Sequence, residues 1–458
     1  MKKRPNRATF HARLNAMINT LRQDITGGKW KIGEYLPSES ALAEQYHLSK
    51  NSVRKGLESL VQEGLIVKQP RKGNMVVNLS DEKTVIKFGY YSSLVYEAQI
   101  IQLIEEFHRS YPHVLVQPIP LNPEHYYQYA KNLIDTGVID VFTINYGHFR
   151  EFVEQDAEHV FEPLRVSADV YSFASDPFII DGALYVQPFI LSPVVLCYNV
   201  KHFRELDLPE PDSSWTWNKL VHVALELAKR DPQRYGFYFH PLSVNRWPIF
   251  LLQSGGQLGS TDNGSTICDS PLMEGLELCR TLIQRNEIFP TYLSDNEVDA
   301  EALFLEEKVS MIMTTYFNLN HLQSAQFPFD LSALPYYKKP ATLLLIIGLA
   351  INRHSKRKAV AQLLVDFLLS RQAQMKIRRE TYSIPSLKPV AESTEDEVPG
   401  MYRPSRFSLY REIIPTFRLH SDLNIKYQSL TLMNQELKRY WSQIEDNEEF
   451  CKRIKGLL

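Results

Sequence analysis

The stretch from Leu36 to Gly73 constrains this chain more than any other part of it. Ser38 stands where it can cap a short helix with Leu42 and Tyr46 facing inward, and His47-Leu48 makes a turn. Ser49 then caps a second helix whose buried stripe is Val53, Leu57, Leu60 and Val61, and Gly64 ends it. Leu65-Ile66-Val67 and Met75-Val76-Val77 follow as two short strands around Pro70-Arg71-Lys72-Gly73. Upstream, Leu14, Met17, Ile18, Leu21 and Ile25 recur at helical spacing and predict a longer helix lying across the other two. This order of elements is a winged helix-turn-helix.

The second helix exposes Lys50, Asn51, Ser52, Arg54 and Lys55 at and just after its N-terminus, where recognition helices hold their base-reading and phosphate-clamping groups. Ser38, Ser40 and Ser49 at the helix starts, with Arg71, Lys72 and Gly73 on the wing, complete the residues expected to face double-stranded operator DNA. Charge agrees. Residues 1–80 hold 14 Lys and Arg against 6 Asp and Glu, whereas the rest holds 37 against 47. Only the N-terminal end has the electrostatics of a duplex binder. Residues 1–78 resemble the DNA-binding domain of the GntR family of bacterial transcription regulators. The resemblance lies in Gly33 to Ala43 with its Leu36-Pro37-Ser38-Glu39 core, Ser49 to Arg54, Glu63-Gly64-Leu65 and Gly73. Ser40 stands where that family usually has Arg, and Lys50 where Arg is common, so a bidentate fork becomes a point charge. A homodimer on a pseudo-palindromic operator is expected, because isologous dimers match DNA dyads.

A chain of 458 residues with 44% hydrophobic content can bury one winged-helix core and one large body. The first ten residues are basic and polar, so no secretory signal is expected. The most apolar run, Ala341 to Ile351, is about half of what a membrane helix needs and predicts a buried strand. Cytoplasmic placement without a membrane follows, and Cys197, Cys268, Cys279 and Cys451 are expected to be reduced packing residues.

The body opens on an alternation: strand 85–90, helix 98–110, strand 114–119, helix 123–136 and strand 140–145, with Ile101, Ile104, Glu105 and His108 in register on the first helix. That order implies an α/β, doubly wound parallel sheet, which binds ligands beyond the carboxyl ends of its strands. Tyr91 and Ser92 follow the first strand, and Asn145 and Tyr146 follow the third.

Further on, the chain resembles the type 1 extracellular solute-binding proteins, the sugar-capturing components of import systems. The matching stretches are Gly182 to Pro188 with Leu196 to Asn199, Thr216 to Leu220, Trp247-Pro248 to Gly255-Gly256, Glu306 to Phe317, Ala350-Ile351, Ala361 to Gln374 and Tyr382 to Pro385. Glu307-Lys308 stands where Gly-Lys is usual, and Thr315-Tyr316-Phe317 where Gly-Pro-Trp is common. The resemblance implies a two-lobed, periplasmic-binding-protein-like clamp over residues 80–458 behind a winged-helix head over 1–79. The first lobe would comprise about 85–190 and 345–390, and the second about 191–344 and 391–458. It further implies a small-molecule effector, a mono- or oligosaccharide. Sugar rings stack on aromatic planes and their hydroxyls need polar partners. With 11% aromatic content, the candidates supplying both are Tyr91, Ser92, Asn145, Tyr146, Asn245, Trp247, Tyr316, Phe317 and Asn318. Asn199 is read as a turn-stabilising residue.

Two other readings compete. GntR-type heads are also fused to pyridoxal phosphate-dependent, aminotransferase-like bodies, but Lys338-Lys339 lies in Tyr-Tyr-Lys-Lys-Pro, without the expected phosphate-binding Ser or following Arg. No catalytic triad, zinc set or cofactor site is expected among the scattered histidines. The body could instead serve only for dimerisation or protein contacts. The hinge-crossing pattern favours a ligand-responsive transcription regulator.

Overall fold

The computed structural model describes residues 7–457 apart from 32, 70–71, 77–82, 124, 232, 259–266, 291–297 and 394–400. In the head, α1 (Arg7–Thr26), α2 (Glu39–Gln45) and α3 (Lys50–Gln62) precede the antiparallel pair β1 (Ile66–Gln69) and β2 (Gly73–Val76). Ser38 Oγ accepts from the Ala41 N–H and Ser49 Oγ from the Ser52 N–H, each at 3.2 Å. Caps of this kind contribute about 1 kcal/mol apiece. Met17, Leu21 and Ile25 of α1 meet Val53, Leu57 and Leu60 of α3 in a small core of its own. The helices approach closely at Gly56, where a Cβ would lie 2.5 Å from Met17 Cε. Val61 departs from expectation: it is 37% exposed, one position past the i, i+4, i+7 stripe that the core consumes.

The body begins with β3 (Thr84–Tyr91), parallel to both β4 (Val114–Leu121) and β5 (Val141–Asn145). Between them run α4 (Leu94–Glu97), α5 (Ile100–Ser110) and α6 (Tyr126–Asp135), and α7 (Tyr146–Glu154) follows β5 directly. The buried face of α5 is Ile100, Leu103, Ile104 and Phe107, not the register through Ile101, Glu105 and His108. The short α4 takes up the residues before it and resets the phase. His108 instead accepts the Val116 N–H at Nε2 and ties the helix to β4.

The sheet is mixed, not all parallel. Beyond β5 the strand order continues through Thr342–Ile351, Gln187–Asn199, Val309–Thr315 and Tyr235–Tyr238. The 187–199 strand is buried along its whole length and belongs to two neighbourhoods. Its first half pairs antiparallel with 342–351, Gln187 facing Leu349 and Pro193 facing Leu344. Its second half pairs with 309–315, Val194 facing Thr315 and Tyr198 facing Met311, and with Phe329–Ser332. One strand therefore carries the chain from the first lobe into the second. Asn199 ends it by accepting the Lys201 and His202 N–H groups, the turn-stabilising role expected of it. No described helix is long and apolar enough to cross a membrane.

Cys268 and Cys451 form a disulfide between the turn Ile267–Asp269 and the helix Asn447–Ile454, while Cys197 and Cys279 are free and buried. The expectation of four reduced cysteines is corrected for the first pair. Folding brings their Cα atoms to 5.9 Å, within disulfide reach, across a separation of 183 residues that spacing cannot reveal.

Head and body meet at Arg22. Its guanidinium forks onto the Glu63 carboxylate with both N···O distances at 2.7 Å, and its Cζ lies 5.6 Å from the ring centre of Tyr111. Both side chains of the ion pair are nearly buried. Removing one partner from such a pair leaves an uncompensated charge, so Arg22→Met should destabilise the head by about 3 kcal/mol. Adding Glu63→Leu should recover part of that loss in urea unfolding; a double variant worse than the single would contradict this account.

Candidate functional site

The first turns of α3 present a cationic surface. Lys50, Asn51, Arg54 and Lys55 are exposed, as are Ser38, Ser40 and Ser49, while Ser52 is half-buried with its Oγ 2.7 Å from Ser49 Oγ. Ser49 and Ser52 are thus engaged with each other. Arg54 forks onto Glu39, Nη2 to Oε2 at 2.8 Å and Nε to Oε1 at 3.3 Å, and Lys68 Nζ lies 4.0 Å from the same carboxylate. The hydrogen bond from Arg54 is the main reason the Glu39 carboxyl sits below its usual range. Glu39 aims the Arg54 fork across the helix-turn-helix, and sequence reasoning assigned it no role. On the wing, Lys72 is exposed, and Gly73 has φ +113°, a backbone conformation that suits glycine. Arg71 lies outside the described residues.

In the body, Tyr91 and Asn145 meet at the end of the first lobe's sheet, and the chain itself engages the polar ends of Tyr91, Tyr146, Trp247 and Tyr316. Tyr91 is buried; its hydroxyl accepts the Asn145 N–H at 3.1 Å and shares a hydrogen bond with His148 Nδ1 at 2.7 Å. Asn145 caps α7 by accepting the His148 N–H at 2.8 Å. Tyr146 donates to Ser421 Oγ at 2.8 Å. Trp247 is fully buried and donates from Nε1 to Asn434 Oδ1 at 2.6 Å. Tyr316, also fully buried, donates to the Phe407 carbonyl at 2.8 Å. Phe317 is buried, its N–H held by Ser192 Oγ of the hinge strand. Asn318 and Asn245 are half-buried: the Asn318 N–H donates to Thr315 Oγ1, and the Asn245 N–H to Ser243 Oγ. Ser92 alone of the nine is exposed.

The partners Phe407, Ser421 and Asn434 all come from the C-terminal part of the chain. The Tyr427 ring sits where Gly147 has no side chain; a Cβ there would lie 2.3 Å from it. Phe407, Ser421 and Asn434 therefore engage three of the side chains that the sequence assigned to a ligand. Below Asn318 lies a further group the sequence did not single out. Glu301 is buried, takes the Thr314 hydroxyl and the Asn318 side chain, and feels Arg246. Burial raises its carboxyl above the ordinary range. Among the described residues, no three His, Cys, Asp or Glu side chains gather as metal ligands.

His148 is stacked on Tyr126 with ring centres 4.3 Å apart, and burial pushes its pKa down to about 3. The Tyr91 hydroxyl is paired with a neutral ring. The unfolded chain binds this proton near pH 6.5 and the folded one does not, so its contribution is lost as pH falls below 6.5 and the loss levels off below about 3. His148→Gln should flatten the stability-versus-pH slope in that window by about 1.4 kcal/mol per pH unit, measured by urea unfolding at stepped pH.

Residues 91–375, more than half of the chain, match the family of bacterial extracellular solute-binding proteins, and residues 15–76 match the bacterial regulatory proteins of the gntR family. The HTH-type transcriptional regulator TreR of Bacillus subtilis is 48% identical over 58 residues, which is 13% of this chain and 24% of that protein. A putative binding protein of Brucella abortus is 22% identical over 216 residues, 46% of this chain and 52% of its own length. The chain thus spans from a quarter to about half of the length of these relatives. Among solved structures, the ABC substrate-binding protein Lmo0181 from Listeria monocytogenes in complex with cycloalternan superposes with TM-score 0.68 at 21% identity, covering 82% of this chain and 97% of that one. Maltose-bound T. maritima MalE3 gives TM-score 0.70 at 16% identity, covering 82% and 100%. These likenesses establish a maltose-binding-type fold for the body. Both matched families are non-enzymatic. The chain belongs to the bacterial extracellular solute-binding protein family and carries a GntR-type helix-turn-helix domain at its N-terminal end.

Proposed function

We propose that this protein is a cytoplasmic, homodimeric transcription regulator whose operator binding is modulated by a small carbohydrate held between the lobes of its body. The head is taken as residues 1–79 and the sensor as 80–458, with the first lobe at about 85–190 and 345–390. The observation that carries the reading is the exposed cationic start of α3 on a head joined through Arg22 and Tyr111 to a two-lobed body. The solved relatives bound to cycloalternan and maltose support a sugar as the class of effector.

With Tyr146, Trp247 and Tyr316 engaged by the C-terminal segment, an effector would have to compete with Ser421, Asn434 and Phe407 for their polar ends. Opening of the lobes would expose them, and a ligand shifts that equilibrium only by its differential affinity for the two forms. Reversing a strongly biased population needs a ratio on the order of 10⁴. Movement of the first lobe would carry Tyr111, and with it the head, relative to the DNA half-sites.

The same buried handles favour a second reading, in which the body is a closed scaffold for dimerisation. Fluorescence anisotropy of the full chain on a duplex selected from a random pool, with and without mono- and oligosaccharides, separates the two. At least one sugar should change operator affinity. An operator affinity unmoved across the panel would favour the scaffold. In the same assay Lys50→Ala should weaken binding and reduce the salt slope by about one, whereas Gly73→Val should impair DNA binding and leave any sugar-induced thermal shift intact.

A further inference from the structure

The C-terminal part of the chain lies across the body as a strap with contacts on two sides. Toward α7, Ser421 Oγ accepts the Tyr146 hydroxyl at 2.8 Å, and both carboxylate oxygens of Glu154 lie 3.1 Å from the Tyr427 nitrogen. On the other side, the Leu423 carbonyl accepts the Leu258 N–H at 3.0 Å, and Asn434 Oδ1 accepts Trp247 Nε1 at 2.6 Å. The helix Tyr427–Trp441, which carries Asn434, is backed by the helix Asn447–Ile454. The Phe450 ring of the second helix stacks on Tyr440 of the first with centres 4.5 Å apart. That last helix has 8 residues, too few to stand alone in water. A covalent tie fixes it: Cys451 is bonded to Cys268 in the turn Ile267–Asp269. Both cysteines are half-buried, within reach of a small thiol. Cys197 and Cys279 are buried instead, and burial pushes both thiols well up, away from the reactive thiolate.

We propose that the Cys268–Cys451 disulfide is a reversible redox lock on this strap, opened by thiol reductants. A disulfide in a thiol-rich compartment is ordinarily transient and redox-sensing, not a permanent staple, and the lock rests on the cytoplasmic placement proposed above. A reductant thiolate attacks one cysteine sulfur; the S–S bond breaks, and the other cysteine leaves as a thiolate that takes up a proton. A second reductant thiol then displaces the first cysteine from the mixed disulfide. The bond gains two electrons and two protons, and the two reductant thiols end as their own disulfide. With the lock closed, the end of the strap stays on the turn that holds Cys268, and Asn434 stays beside Trp247. With it open, the short helix is held only by packing and hydrogen bonds, as are other terminal segments that open locally. Reduction thus lowers the cost of freeing Trp247 and Tyr146, whose polar ends the strap engages.

The test equilibrates the full chain under native conditions in glutathione buffers of rising reduced fraction, then alkylates it and maps the labels by mass spectrometry. Cys268 and Cys451 should pass from unlabelled to labelled together, with Cys197 and Cys279 protected throughout. Amide exchange across residues 427–454 should quicken about 10-fold or more on reduction, with the helix Ile100–Ser110 unchanged. A Cys451→Ser variant should exchange like the reduced chain whatever the buffer. Reduction of the unaltered chain needs no variant, so it decides alone if Cys451→Ser does not fold. Failure of the two cysteines to pair in oxidised glutathione would overturn the lock. So would a bond that persists in reduced glutathione alone, the mark of a permanent staple. Exchange that stays slow in the reduced chain, or in a folded Cys451→Ser variant, would overturn the hold on the strap. None of these readouts uses operator or sugar, so the lock and the sugar-responsive regulator can fail separately.

Discussion

The body depends on one strand serving both halves of its sheet. From Gln187 to Asn199 every residue is buried, and the backbone groups of the strand are shared between Thr342–Ile351 at one end and Val309–Thr315 at the other. A buried strand cannot leave its N–H and C=O groups unpaired without a cost comparable to a lost hydrogen bond at each. The two lobes are therefore joined by a continuous ladder in which the strand changes partner between Pro193 and Val194. Ser192 Oγ holds the Phe317 N–H and Thr342 Oγ1 holds the Val194 carbonyl at that point, so side chains reinforce the change of partner.

What surrounds the hinge is more self-contained than a cleft awaiting a guest. Tyr91, Asn145 and His148 close a ring of hydrogen bonds at the end of the first lobe's sheet. The C-terminal segment then supplies Phe407, Ser421 and Asn434 to Tyr316, Tyr146 and Trp247. A buried donor left without a partner costs about 1–3 kcal/mol. Each of these bonds has to be exchanged, not merely broken, if a ligand is to take the same position. A ligand rich in hydroxyls can make such an exchange, which is the physical appeal of a sugar here.

The head is coupled to this body through a small contact. The Arg22–Glu63 pair belongs to the head's own packing, yet the same guanidinium faces the ring of Tyr111 at the end of α5. The orientation of the recognition surface thus leans on a residue whose first duty is internal. Glu39 plays a similar double part by capping the charge of Arg54 and aiming it.

Much of this was legible in the sequence because it is local. The caps at Ser38 and Ser49, the stripe Val53-Leu57-Leu60 and the strands around residues 85–90, 114–119 and 140–145 depend on neighbours a few positions away, where periodicity and capping chemistry act. The exposed cationic residues of α3 follow from the same pattern, as does the place of Asn199. Val61 and the register of α5 were misread because tertiary packing chose between adjacent phases that the pattern barely distinguishes. The fate of the aromatic residues could not be read at all. Tyr146 meets Ser421 across 275 positions and Trp247 meets Asn434 across 187. The Cys268–Cys451 disulfide spans 183. Hydrogen bonds and disulfides between residues so far apart leave no periodic trace, so composition identified residues able to grip a ligand, and only the fold decided that the chain's own C-terminal segment engages them.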